Sequence, residues 1–327
     1  MGYTKKWTPP TIPLRDNLPA WKTLFNDVHD NLISAGLVQT ATAGQLDIST
    51  VSSLPADGAF AGFIEYAFDD DLQSEAPIII KLEYGCGWEG LNNYNGGAQV
   101  RTQTPRIKAT VLFNAAHIAT FACPQDYTGT LPYSQNDSQL INAGTSYISH
   151  DKSKGWLGVC YGEGSRNKPF SDSTGSYYGA TLTLFVQRQL AANGMPVSNG
   201  VAVYYPTKNG NSAVNLWDAG VLELSISGYS NGSIVMSRSD MAPRIGRDGF
   251  AAGIDSVLLE PIYFPTNPPT PFPYLYSYRN TVILAGTEFE FNSVIGDPLN
   301  FVAIGNETCM SIDSVDGQRA GIAMLFE

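Results

Sequence analysis

Two glycine-rich motifs have the spacing of loops that bind dinucleotides or activate a serine. The first, residues 85–90, reads GCGWEG and is a literal G-x-G-x-x-G. A dinucleotide site needs a helix to begin at such a motif, because the helix N-terminal amides bind the pyrophosphate. The segment that follows, LNNYNGGAQ, does not favour a helix, and Trp88 would crowd the close approach that the glycines allow. We therefore predict a glycine-rich β-turn with a partly exposed Trp88, and no bound cofactor.

The second motif, residues 228–232, reads GYSNG and matches the G-x-S-x-G of a nucleophile elbow. A nucleophile elbow joins a strand to a helix, whereas the residues that follow here, SIVM, favour a strand. The pair Asn231-Gly232 is typical of a hairpin turn. The usual order of serine, acid and histidine also needs a histidine after the serine, and the last histidine in the chain is His150. The sequence therefore predicts no catalytic serine at this position.

The other side chains that could bind a metal or transfer protons have no diagnostic spacing. The chain has three histidines: His29, His117 and His150. We predict a surface position for His29 and a core position for His117. The chain has four cysteines, none of them in a C-x-x-C pair: Cys86, Cys123, Cys160 and Cys309. We predict free, buried thiols rather than a zinc site or disulfides.

Acidic residues cluster at positions 69–71 and at Glu75. Their oxygens do not follow the spacing of a known calcium-binding loop, so we predict a solvated turn. Glycoside hydrolysis needs two carboxylates at a fixed separation in space, and no such pair can be picked out of this sequence. The sequence therefore predicts neither a metal ion nor catalytic residues, and we expect a protein that is not an enzyme.

The overall charge and composition exclude several classes of protein. The 327 residues include 19 Lys and Arg against 30 Asp and Glu, a formal net charge of −11, which disfavours nucleic-acid binding. No apolar stretch is long enough for a membrane-spanning helix, and residues 1–13 carry no secretory signal. We therefore expect synthesis in a cytoplasm and no membrane insertion. With 32 Gly, 20 Pro and 11% aromatic residues, the chain is expected to be turn-rich and mainly β.

Residues 1–45 are predicted to form an extended arm followed by one amphipathic helix. The prolines of the arm keep it out of helical conformation. The helix is predicted over residues 16–35, with Asp16 as its N-cap and Gly36 as its stop. So large an apolar face must be buried against this chain or a neighbour. The arm and the helix supply the residues of a predicted assembly interface: Trp7, Leu18, Trp21, Phe25, Val28 and Leu32.

The rest of the chain is predicted to consist of a β body, a linker and a small C-terminal unit. Residues 46–260 alternate between strand-like segments and Asn-Gly or Asp-Gly turns, which predicts an antiparallel sandwich or barrel. Within this body, residues 85–104 and 124–176 lack periodicity, so we predict long loops. Residues 261–275 (PIYFPTNPPTPFPYL) predict a stiff proline-rich linker. Residues 276–327 alternate again and predict a small C-terminal β unit.

Several segments occur in a suggestive order along the chain. They are the helix LPAWKTLFNDVHDNLISAGL, the strand and Gly-rich turn APIIIKLEYGCG, and the closing strands LNFVAIGNETCMSID and GIAMLFE. Together they resemble structural proteins of tailed-bacteriophage virions, of the tail, baseplate, collar or appendage type. The resemblance covers mainly residues 14–90 and 280–327 and carries over no functional residue. It implies a non-enzymatic virion subunit, made in the host cytoplasm, that contacts other virion proteins and forms a homo-oligomer such as a trimer or hexamer.

A second hypothesis is a receptor-binding module of the particle that recognises a glycan on the host surface. The predicted loops are rich in Tyr, Asn, Gly and Ser, a composition that suits adaptable recognition. The aromatic residues predicted to face a glycan are Trp88, Tyr94, Trp156, Tyr161, Tyr177 and Tyr178. A third hypothesis is a polysaccharide depolymerase, which no feature of the sequence requires.

Overall fold

The computed structural model describes most of the N-terminal half of the chain and separate strands of the C-terminal half. The described residues are 2–10, 17–56, 58–93, 97–123, 131–133, 145–161, 182–191, 193–206, 222–226, 234–236, 259–264, 270–279, 288–291, 299–304 and 320–327. These residues form one α-helix and eighteen strands. This confirms the prediction of a mainly β fold with a single amphipathic helix near the N-terminus.

Nearly all of the described elements are strands. In chain order they are β1 (Tyr3–Trp7), α1 (Leu18–Ser34), β2 (Val38–Gln39), β3 (Phe60–Ala67), β4 (Ile78–Asn93), β5 (Gly97–Phe113), β6 (Ala116–Cys123), β7 (Leu131–Tyr133), β8 (Ser146–Asp151), β9 (Trp156–Tyr161), β10 (Leu182–Leu190), β11 (Pro196–Pro206), β12 (Leu222–Ile226), β13 (Ile234–Met236), β14 (Leu259–Phe264), β15 (Thr270–Arg279), β16 (Glu288–Phe291), β17 (Leu299–Ile304) and β18 (Ala320–Leu325).

The strands form three antiparallel sheets. The central sheet has the order β1-β8-β9-β10-β11-β12-β13, and the helix-side sheet has the order β2-β3-β4-β5-β6. The C-terminal sheet has the order β14-β15-β18-β17-β16. The short strand β7 is the exception among the described pairings, because it runs parallel to the end of β4. The described strands therefore form open, layered sheets, which fits the sandwich alternative of the prediction.

The middle of the central sheet, strands β8 to β10, is buried on both of its faces. Every residue of β8 and β9 is buried. One face carries Leu157 and Val159 into the same hydrophobic core as Leu82 of the helix-side sheet. The other face carries Trp156, whose ring lies 5.9 Å from that of Tyr274 in the C-terminal sheet. Strands covered on two sides need apolar residues at consecutive positions, which is the pattern of WLGVCY in β9.

Helix α1 forms close to the predicted bounds. Its N-cap is Asn17, whose side-chain oxygen accepts a hydrogen bond of 3.0 Å from the backbone N–H of Ala20. Residues 11–16, which include the predicted cap Asp16, lie outside the described part of the chain. The helix ends before Gly36, which has a φ of +95°, a conformation that glycine adopts readily.

The apolar face of α1 packs inside this chain rather than against a neighbour. Trp21, Phe25, Val28 and Leu32 are at most 3% exposed and belong to the core that joins the central and helix-side sheets. The interpretation of these four as an assembly interface is therefore wrong, because the chain's own sheets cover them. Leu18 and Trp7 are partly buried and pack against the same core.

The N-terminal arm is held by the central sheet. Strand β1 pairs with β8 along its length, from Tyr3 opposite His150 to Trp7 opposite Ser146. The predicted extended conformation is confirmed over residues 3–7. An intramolecular partner orders this segment, so its order does not require another subunit.

The predicted proline-rich linker is largely strand. Residues 261–264 belong to β14, and residues 270–275 belong to β15. Pro271 and Pro273 are accommodated because residues 270–274 pair, among the described strands, with the edge strand β14 alone, and the register shifts after Pro261. The C-terminal sheet therefore begins at Leu259, and the predicted boundaries at 261 and 276 fall within its strands.

A buried ion pair joins the central sheet to the turn between β3 and β4. Arg188 of β10 is completely buried. Its Nε donates to Oδ2 of Asp70 at 2.5 Å, and its Nη2 donates to Oδ1 of the same carboxylate at 2.9 Å. Its Nη1 donates to the carbonyl of Ala76 at 2.7 Å, and Nη2 also reaches Oε1 of Gln73 at 3.3 Å. Each nitrogen of the guanidinium therefore has an acceptor from this one turn.

The acidic run is thus only partly the solvated turn that we predicted. Asp70 is buried against Arg188, while its neighbour Asp69 forms an exposed ion pair with Lys152. Glu75 accepts a hydrogen bond of 2.7 Å from the Ser198 hydroxyl. Among the described residues, no three acidic, histidine or cysteine side chains converge as metal ligands.

We expect Asp70→Ala to lower the free energy of unfolding by about 3–5 kcal/mol, because Arg188 would keep a buried charge without its carboxylate. The matched control is Asp69→Ala, which removes an exposed ion pair and should change stability little. Urea unfolding of the two variants measures the difference. Equal losses of stability for the two would contradict the role given to Arg188.

Candidate functional site

Strands β4 and β5 form a ribbon that extends beyond the rest of its sheet. The two strands pair with each other from Ile78 opposite Phe113 to Asn93 opposite Gly97. Among the described pairings, β3 accompanies β4 as far as Gly85, and β6 accompanies β5 over residues 107–113. We call residues 87–93 and 97–104 the β-ribbon. Seven residues of strand span roughly 24 Å.

The end of the ribbon carries one more strand. Strand β7 lies parallel to β4, with Leu131 opposite Leu91 and Tyr133 opposite Asn93. Over its remaining length, the described ladder of the ribbon has two strands. A two-stranded ladder is marginally stable by itself in water, because it has little surface to bury. The ribbon is therefore the part of the described fold that gains most from a partner surface.

The base of the ribbon explains the first glycine of the G-x-G-x-x-G motif. A Cβ at Gly85 would lie 2.2 Å from the carbonyl oxygen of Ala59 and 2.9 Å from Cα of Phe60. That close approach lets Cys86 N–H donate to the Ala59 carbonyl at 3.1 Å, while Cys86 O accepts from Gly58 N–H at 2.9 Å. The motif lies within a strand, so the predicted β-turn is wrong, and so is the predicted loop over the described part of residues 85–104.

Helix α1 also contacts Gly85. The indole Nε1 of Trp21 donates to the carbonyl of Gly85 at 3.0 Å, and the ring of Phe25 lies 5.0 Å from that of Tyr84. The point at which the ribbon leaves the sheet is therefore fixed by α1 from one side and by β3 from the other. This arrangement gives the projecting strands a rigid base.

The outer face of the helix-side sheet lies next to this base. Residues on this face alternate with the core residues of β3, β4 and β5 and are half-buried. Lys81 Nζ lies 4.1 Å from the ring centroid of Phe63, and Lys108 Nζ lies 5.7 Å from that of Phe60. Lys108 also pairs with Glu83 at 2.6 Å. Each of these lysines therefore lies against an aromatic ring on this half-buried face.

The aromatic residues predicted to face a glycan do not form one surface. Trp156 and Tyr161 are at most 1% exposed, because they lie on β9 in the middle of the central sheet. The interpretation of these two as glycan-facing is therefore wrong. Trp88 lies in the β-ribbon, and the predictions for three further residues fall outside the described residues: Tyr94, Tyr177 and Tyr178.

The histidines differ from both positional predictions. His117 is exposed and its Nε2 lies 2.6 Å from the Thr120 hydroxyl. His29 is half-buried, with Nδ1 2.9 Å from the hydroxyl of Tyr66, which in turn lies 2.8 Å from that of Tyr84. Burial lowers the pKa of His29, although Asp30 acts in the opposite direction.

His150 is the most buried of the three. Its Nδ1 lies 2.8 Å from the carbonyl of Ala35 at the end of α1, and its Nε2 has no hydrogen-bond partner among the described residues. Burial lowers the pKa of His150, and Lys152 acts in the same direction. The Ala35 carbonyl and the carboxylates of Asp70 and Asp151 raise it, but by less. The neutral imidazole is therefore the form that fits this site.

Two of the four cysteines can be assessed. Cys86 and Cys160 are buried, which confirms the burial predicted for them. The side chains of Cys123 and Cys309 fall outside what the structure describes. No helix in the described part of the chain is long and apolar enough to cross a membrane.

No protein-family model, no curated protein and no solved structure matches this chain. The resemblance to tailed-bacteriophage virion proteins therefore stays a prediction. The geometry of the β-ribbon and its base is the main basis for assigning a function.

We expect the stability of the protein to fall in mild acid because of His150. Its folded-state pKa lies below the usual value for histidine, about 6.5, so the unfolded chain binds the proton first as the pH falls. The stabilising contribution is complete above about pH 6.5 and declines below it, by up to about 1.4 kcal/mol per pH unit for one proton. Urea unfolding at several pH values measures this slope. Replacing His150 with Asn keeps a donor for the Ala35 carbonyl and should reduce the pH dependence of the free energy of unfolding by the contribution of one proton. An unchanged slope would contradict its attribution to His150.

We expect Gly85→Ala to lower the free energy of unfolding by about 1–3 kcal/mol or more, because the added methyl group meets backbone atoms that cannot move aside. Gly62→Ala is the matched control, since a Cβ there would meet only the Leu46 side chain, at 3.1 Å. Thermal unfolding of both variants tests the comparison. If Gly62→Ala proves the more damaging change, the close approach at Gly85 is not what requires a glycine.

Proposed function

We propose that this protein is a structural subunit that assembles into a larger particle through its β-ribbon. The observation that carries the proposal is the extension of β4 and β5 beyond both neighbouring strands. Apart from the pairing with β7, the edges of the ribbon have no partner strand among the described residues. Such an edge can add a strand from another chain, with main-chain hydrogen bonds supplying affinity. The buried base at Gly85 would anchor such a contact to the folded body.

The layered architecture supports the same function. Strands β8 to β10 of the central sheet are covered on both sides. Arg188 ties this sheet to the helix-side sheet, so the body is expected to behave as a rigid block. The half-buried face with Phe60, Phe63 and Lys81 offers a second contact surface beside the ribbon. Burial of Trp156 and Tyr161 removes two of the residues on which glycan recognition would depend. Assembly is therefore the function that we favour over receptor binding.

The resemblance noted in the sequence extends this proposal to a particular particle. We propose a tailed-bacteriophage virion, with the protein in the tail, baseplate, collar or an appendage and in contact with other virion proteins. A homo-oligomer such as a trimer or hexamer is the form expected for such a subunit. Because the apolar face of α1 is buried within its own chain, this proposal places the contacts between subunits at the ribbon and not at α1.

We expect removal of the ribbon to abolish self-association. Cys86 and Pro105 are paired across the ladder, so residues 87–104 can be replaced by an Asn-Gly turn that closes a short hairpin. Light scattering over a range of concentrations should give a defined oligomer for the full chain and a single-chain mass for the shortened one. Circular dichroism and the thermal midpoint are the controls for folding. An oligomer of unchanged size after the deletion, or a full chain that is monomeric throughout, would contradict the proposal.

A further inference from the structure

A lysine, an asparagine and an aspartate meet where strand β1 crosses helix α1. Nζ of Lys5 donates to Oδ1 of Asn31 at 2.6 Å. Asn31 is 3% exposed although it is polar. The two residues come from different elements, and 26 positions separate them in the sequence. An amine therefore lies in contact with a buried carboxamide.

The orientation of the carboxamide is fixed by Asp27, one helical turn earlier. Nδ2 of Asn31 donates to the backbone carbonyl of Asp27 at 2.7 Å and to its Oδ1 at 3.2 Å. Because Nδ2 faces these two acceptors, the carbonyl end of the carboxamide faces Lys5. The nitrogen that would leave in a substitution at Cγ therefore lies beside a carboxylate.

The Asp27 carboxylate is itself held in place. Its Oδ2 accepts a hydrogen bond of 2.6 Å from the Tyr161 hydroxyl and one of 3.0 Å from Nε1 of Trp7. The indole of Trp7 lies beside Lys5, with Nζ 5.2 Å from the ring centroid, and its ring packs edge-on against Tyr161 at 5.7 Å. The rings of Trp7 and Tyr161 thus lie beside this group, in which Asn31 is buried and Lys5 and Asp27 are half-buried.

We propose that Lys5 and Asn31 form an intramolecular isopeptide bond. The amine, after losing one proton to solvent, attacks Cγ of Asn31, so that a bond forms between Nζ and Cγ. Nζ releases a second proton to solvent, and the Asp27 carboxylate, which contacts Nδ2, relays a proton from solvent to that nitrogen. The bond between Cγ and Nδ2 then breaks and ammonia leaves. The reaction exchanges one amide for another and needs no oxidant, reductant or further reactant.

The arrangement supplies what this reaction requires. Fixing the amine and the carboxamide in contact replaces a chance encounter by an intramolecular step, which is one of the largest rate effects in catalysis. The carboxylate beside the leaving nitrogen supplies general acid–base catalysis. The product would join the N-terminal strand covalently to the helix.

This inference does not depend on the proposed assembly function, and intact mass spectrometry tests it. We expect the folded full chain to be lighter than its sequence by the mass of one ammonia molecule. A proteolytic digest should contain a branched peptide that joins Lys5 to Asn31. If the folded chain keeps its full sequence mass after prolonged incubation, or if no branched peptide is found, the proposal is wrong.

Two variants separate this bond from other losses of ammonia. Lys5→Arg keeps a cation on β1 but removes the attacking amine, so its mass should match its own sequence. Lys6→Arg is the matched control, because Lys6 is exposed on the other face of the same strand and should leave the bond intact. A loss of ammonia that persists in Lys5→Arg would place the reaction at another asparagine and would overturn the proposal. Asp27→Asn, once circular dichroism shows that it folds, should also retain the full mass.

Discussion

The guanidinium of Arg188 lies inside the protein, between the central and helix-side sheets, where a charge without partners would be very costly. The acceptors of the guanidinium all come from residues 70–76. The turn must therefore take the one position in which these acceptors meet the Arg188 nitrogens. Gln73 connects this turn to β4, because its side chain bonds both the N–H and the carbonyl of Ile78, where β4 begins. The register of β4, and with it the start of the β-ribbon, follows from the placement of one side chain on another sheet.

Helix α1 is also fixed between these two sheets, because it forms polar contacts with each of them. Towards the helix-side sheet, Trp21 and His29 bond a strand carbonyl and a tyrosine hydroxyl. Towards the central sheet, Asp27 and Asn31 bond the side chains of β1 and β9. The apolar side chains of the helix provide most of the buried area, but they do not specify its rotation or its depth. The polar contacts do, because each buried donor needs an acceptor in one place.

The elements with a clear hydrophobic period were predictable, and the features set by distant contacts were not. Helix α1 was evident because its apolar residues recur at helical spacing, but the sequence does not say which surface covers them. The β-ribbon was missed because its glycines and polar residues lack the alternation of a half-buried strand. The prolines of β14 and β15 suggested a linker, although an edge pairing tolerates them. Arg188 carries no local signal, since its partner Asp70 is remote in sequence. Trp156 and Tyr161 were misplaced for the opposite reason: aromatic residues near a long glycine-rich segment resemble a binding surface, whereas β9 is central.

The pairing of β1 with β8 has a consequence for the order in which the protein can fold. Strand β1 and the helix are made before β8, and the strand that pairs with β1 follows the whole helix-side sheet along the chain. Until β8 is made, α1 lacks the cover that the central sheet gives it. Contacts between remote segments also slow folding, because the loop must close before they form. The nascent chain therefore exposes part of the apolar face of α1 until the central sheet can form.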